Sequence, residues 1–117
     1  MSVVKPWVLL ALLISPLAVA QNVAGATKVL PLEDMSCAYW VKTKSEPDLR
    51  LPILDWARGF LSGHNYGQPA KQVSVVSSGT IASFIDRHCA EKSTSSVDVA
   101  MMRMSDQYSG RNAPITK

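Results

Sequence analysis

Cys37 and Cys89 stand 52 positions apart in a chain of 117 residues and are its two cysteines. No other feature restricts the fold as strongly, because two cysteines allow a single pairing. A bond between them would close a long loop and remove unfolded-state entropy worth about 4 kcal/mol. That is a large share of the stability of a chain with room for one ordinary domain. Whether the sulfurs pair depends on compartment: export favours the bond, and a reducing interior favours two buried thiols.

The N-terminus points to export. Lys5 is the one positive charge near the start, Trp7 to Ala18 is an almost unbroken apolar run, and Ala18-Val19-Ala20 places small residues where a signal peptidase reads. This three-part pattern is that of a secretory signal cleaved between Ala20 and Gln21. A membrane anchor is the rival reading, but it needs about 20 apolar residues, and Pro16 interrupts the run. The expected organisation is a signal peptide over 1–20, an N-terminal tether over 21–35, a folded domain over 36–110 and a disordered tail over 111–117. After cleavage the chain would be periplasmic and would have no stable membrane insertion. The exported part would keep eleven Lys/Arg against nine Asp/Glu, scattered without a basic stripe, so nucleic acid and anionic membranes are not indicated as partners.

Helical periodicity dominates the rest. Cys37, Trp40 and Val41 share a face of a first helix starting near Ser36. A second starts at Pro52, which suits a first turn, and carries the stripe Ile53, Trp56, Ala57, Phe60 and His64, flanked by Leu54 and Leu61. It is expected to end in a turn at Asn65-Tyr66-Gly67. Gly59 and Gly63, four apart beside the stripe, suggest close packing against a neighbouring helix. The alternative for Gly63 is simple fraying before the turn. Residues 68–77 read as a loop or short helix packed on the core, since an isolated strand would lack a partner. A third helix with Ser78 as N-cap aligns Ile81, Phe84, Ile85, His88 and Cys89. A fourth starts in the serine patch, with Ser95 and Asp98 in a loose capping box. It aligns Val97, Ala100, Met101, Met104 and Tyr108 and stops at Gly110. The expected fold is all-α, a compact bundle of four to five short helices closed by one Cys37–Cys89 disulfide between the first and third helices.

Chemistry is sparse. His64 and His88 lie far apart on apolar stripes, so no metal site is expected. Cys89 follows His88, but adjacent helical residues point about 100° apart, and a disulfide would consume the thiol. Ser62 sits inside a helix without a nucleophile elbow. Asp55, Asp86 and Glu91 read as solvated surface rather than a carboxylate pair. No enzyme activity and no cofactor are expected. Met101, Met102 and Met104 admit two readings, core packing or a flexible binding surface.

The Trp56-Ala57-Arg58-Gly59-Phe60-Leu61-Ser62-Gly63 helix, the Phe84-Ile85-Asp86-Arg87-His88-Cys89 helix, Cys37 at the start of a first helix and the export signal together resemble the HdeA/HdeB-like family of small periplasmic proteins. The resemblance covers about Ser36 to Tyr108. It implies a disulfide-joined helical fold, possible homodimerisation at neutral pH, and ATP-independent, acid-activated binding of unfolded periplasmic proteins. Trp56, Phe60, Met101 and Met104 would then be client or partner surface. The chain departs from the pattern in its longer tether and in lacking a lysine-rich tail. A second, more distant resemblance is to periplasmic immunity proteins that bind a secreted cell-wall amidase effector of type VI secretion. It implies capture of a single protein partner by a preformed surface.

Overall fold

The computed structural model describes residues 29–111 and Ile115. The expected signal at 1–20, most of the tether, and residues 112–114 and 116–117 of the tail lie outside the described residues.

The described chain is all-helical. Helix α1 spans Cys37–Lys42. Its start is fixed by Ser36, whose Oγ accepts from the Tyr39 N–H at 3.1 Å and donates to Asp34 Oδ1 at 2.8 Å. The Ser36 N–H also donates to Asp34 Oδ1, and these bonds hold the Asp34 carboxyl below its ordinary range. Two 3-10 turns, Thr43–Ser45 and Pro47–Leu49, carry the chain to α2, Leu51–Gly67, with Pro52 in its first turn.

Helix α2 runs through the expected turn at Asn65-Tyr66-Gly67. Asn65 is held in helical register because its side chain has a distant use. Its Nδ2 donates to the Val73 carbonyl at 3.0 Å, and its Oδ1 accepts from the Val73 N–H at 2.8 Å. The helix stops at Gln68, before Pro69, which cannot donate to an ongoing helix. After a 3-10 turn at Pro69–Lys71 the chain is irregular to Ser77, with Val73 and Val76 buried.

Helix α3, Ser78–Glu91, is capped by Ser77 rather than Ser78. Ser77 has the extended backbone a cap requires (ψ 158°), and its Oγ accepts from the Thr80 N–H at 3.1 Å. Helix α4 covers Val97–Tyr108. The expected capping box is not formed there: Ser96 is the N-cap and makes no side-chain cap bond. The Val97 N–H instead donates to the Met35 carbonyl at 2.7 Å, while the Cys37 N–H donates to the Ser95 carbonyl at 3.0 Å. The starts of α1 and α4 thus satisfy each other across a one-residue antiparallel bridge between Ser36 and Ser96. Gly110 ends the fold at φ 74°, a left-handed conformation suited to glycine, and its N–H donates to the Gln72 carbonyl.

The core is built from one face of each helix. Ile53, Ala57 and Leu61 line α2, Ile81, Ile85 and Cys89 line α3, and Val97, Ala100, Met101 and Met104 line α4, with Cys37 and Trp40 from α1. On α2 the buried line is rotated relative to the expected stripe. Leu61 is central, and Trp56 and Phe60 sit half-buried at its rim. Met35 is buried as well, and Ile115 packs against the core from beyond α4.

Candidate functional site

The structure joins Cys37 to Cys89 at an S–S distance of 2.08 Å with Cα atoms 5.2 Å apart. Both residues are buried because each occupies an inward position of its helical stripe. Beside the bond lies His88, itself buried, with Nε2 2.8 Å from Ser95 Oγ. Burial lowers the pKa of His88 from its ordinary value. The positive charges of Arg103 and then Lys92 lower it further, against a smaller opposing effect of Glu91. Ser95 links the histidine to the bond, since its hydroxyl meets His88 and its carbonyl accepts from the Cys37 N–H.

A second polar cluster lies around Trp40, which is fully buried. Its indole N–H donates to Asp86 Oδ1 at 2.7 Å, and the Arg50 guanidinium stacks 3.9 Å above the ring. Arg50 also donates to Thr43 Oγ1 at 2.8 Å and lies 3.4 Å from Asp86. Asp86 is therefore half-buried and partnered, not merely solvated surface, whereas Asp55 and Glu91 are exposed. Sequence spacing could not expose this cluster, because Arg50 and Asp86 are separated by 36 positions. A weak signal existed in Asp86 directly following the inward Ile85.

Trp56 and Phe60 stack with ring centroids 5.5 Å apart on the rim of α2. The Trp56 indole N–H donates to the Leu30 carbonyl at 2.8 Å, so the end of the expected tether is seated on this face. Leu30, Leu49 and Leu51 are exposed. Met101 and Met104 are wholly buried. In the folded state they are core, and a partner reaches them only in an opened molecule.

Gly59 and Gly63 mediate no helix packing among the described residues. Both are exposed, and a Cβ on either would meet nothing within 4 Å. Each lies two positions past a buried residue, Ala57 or Leu61, hence about 200° around the helix on the solvent side.

Among the described residues no group of three or more His, Cys, Asp or Glu is placed to hold a metal ion. No helix among them is long and apolar enough to cross a membrane. No protein-family model, curated protein or solved structure matches the chain.

Proposed function

We propose that the protein is a periplasmic stress protein that binds unfolded proteins in acid, stoichiometrically and without ATP. The observation that carries this reading is the placement of a buried histidine beside an interhelical disulfide. His88 holds its proton less tightly folded than unfolded, so the unfolded chain binds more protons. The stability His88 contributes is present above its ordinary value of 6.5 and is lost as the pH falls through its lowered folded value. Acid thus drives a charge into the core next to Arg103 and Lys92, while the Cys37–Cys89 bond keeps α1 and α3 joined. At about pH 2 to 3 carboxylates in general are protonated, leaving the exported chain's eleven Lys/Arg and two His without counter-charge. Loosening would uncover Met101 and Met104, whose pliable thioethers suit varied apolar clients, and would widen the surface around Trp56 and Phe60.

The test is light scattering of an acid-denatured client. Oxidised protein should suppress aggregation at about pH 2 to 3 in proportion to its concentration, and should lose that effect at pH 7, where carboxylates regain their charge. Equal suppression at both pH values, or none at either, would sink the proposal.

One observation favours a second reading, capture of a single partner such as a cell-wall amidase effector. The stacked Trp56–Phe60 pair is already presented at the surface in the folded state, as preformed anchors of an interface are. A tight one-to-one complex at neutral pH, lost on Trp56→Ala, would select it.

A further inference from the structure

A groove of about 380 Å³ runs between α3 and α4 on the outer side of His88. Its volume falls within the range of about 300–1,000 Å³ common for small-molecule sites. Two arginines line it, Arg87 from α3 and Arg103 from α4. Phe84 and Tyr108 pack edge to face at 6.4 Å and give it an aromatic wall. The Arg87 guanidinium rests 5.8 Å from the Phe84 ring centroid, within cation–π range of that wall. Gln107 adds an uncharged donor.

Neither arginine is ion-paired among the described residues. The ion pair among the described residues is Arg50–Asp86, on another face. Glu91 also lines the groove, yet it lies within ion-pairing distance of neither arginine. Two arginines lining one groove beside an aromatic wall match an oxyanion with an apolar body, because the planar fork of arginine pairs with carboxylate or phosphate oxygens.

We propose that this groove binds a small organic oxyanion, a carboxylate or phosphate carried on an aromatic or apolar body. The oxyanion sits between Arg87 and Arg103, and its body lies against Phe84 and Tyr108. This site uses none of the surface assigned to client binding, and shares with that reading only His88. Occupancy is coupled to His88, which forms the inner wall. Among the described residues the charged groups acting on His88 are Arg103 across the groove and Lys92 and Glu91 at the end of its own helix. An anion against Arg103 offsets the repulsion that opposes His88 protonation, and by reciprocity protonation of His88 tightens anion binding.

The experiment is an NMR titration of the oxidised protein with benzoate in one arm and phenyl phosphate in the other, at ionic strength held constant with sodium chloride. The expected result is a saturable shift of groove resonances with at least one probe and an upward move of the His88 titration midpoint on saturation. The tighter probe identifies the oxyanion type. Arg87→Gln and Arg103→Gln should each weaken binding about tenfold, the scale of one hydrogen bond to a charged group. Arg103→Lys should recover part of the loss, and Lys42→Gln should change nothing. Both arginines are exposed, so the variants should fold. Should one not, the His88 midpoint in the unaltered protein still decides. Absence of saturable shifts with both probes, an unmoved midpoint at saturation, or unchanged affinity in both glutamine variants would overturn the proposal.

Discussion

The two ends of α2 are held by different physics. Near its N-terminus, Arg50 joins the buried Trp40, Thr43 and Asp86 into one cluster, and the disulfide binds α1 to α3 alongside. Near its C-terminus no covalent link is present. There the irregular segment after Lys71 is held by side chains reaching its backbone, Asn65 to Val73 and Arg58 to the Val76 carbonyl at 3.0 Å, and by the Gly110 backbone N–H donating to the Gln72 carbonyl. His64 and Ser109 converge on the Lys71 carbonyl in the same place, at 3.0 and 2.8 Å. A short chain can fix regular elements by apolar burial and a cross-link. A segment without a ladder of its own needs polar partners supplied by neighbouring helices.

Breaking each end separately tests this contrast. The largest effect is expected from Cys37→Ser with Cys89→Ser, which should remove about 4 kcal/mol. In thermal melts followed by circular dichroism that corresponds to a fall on the order of 20 °C for a domain of this size. Trp40→Leu should follow at about 3 kcal/mol, since it deletes buried ring volume together with the indole bond to Asp86. At the other end, Asn65→Ala should cost about 2 kcal/mol in urea unfolding, because it leaves the backbone of a buried residue without partners. Its amide-exchange effect should be confined to residues 68–77. If Asn65→Ala proved as damaging as loss of the disulfide, the contrast would fail.

A smaller effect separates the ends by pH. His88→Gln should flatten the loss of stability as pH drops below 6.5, the ordinary value from which burial lowers the native histidine. Asn65→Ala, at the other end, removes no titratable group and should leave that slope in place. Urea midpoints at several pH values would decide it. The smallest effect has the opposite sign. Gly59→Ala and Gly63→Ala should each stabilise by up to about 1 kcal/mol, because both glycines are helical and a methyl group at either meets open space. Destabilisation by either would show that a close neighbour covers that face.

The same contrast marks what the sequence could reveal. Cys37, Ile53, Ala57, Ile81, Ile85, Cys89, Ala100, Met101 and Met104 announce their burial through helical spacing, and all are core. Spacing indicates a direction around a helix but not which neighbour will fill it. Leu61 therefore moved from flank to centre, and Trp56 and Phe60 moved to the rim. The segment after Gln68 carried no period, since its geometry is dictated by Asn65, Arg58 and Gly110 from outside it. The α4 start misled for a related reason. Ser95 fits a capping pattern, but its hydroxyl engages His88 and the cap is supplied by the Met35 carbonyl. The candidate oxyanion groove draws on Arg87 and Arg103, which read as scattered charge until α3 and α4 lie side by side.

The position of the cross-link has a topological consequence. It converts residues 37–89 into a closed covalent ring that contains α1, α2 and all of α3 but its last two residues, and leaves α4 as the one described helix wholly on an open arm. The base of that arm is fastened where the Cys37 N–H donates to the Ser95 carbonyl and the Val97 N–H to the Met35 carbonyl. Swinging it outward breaks no covalent closure, retains the ring, and turns a buried row of methionines into an accessible strip. Among the described helices, only α4 can leave with its whole length while the others stay enclosed.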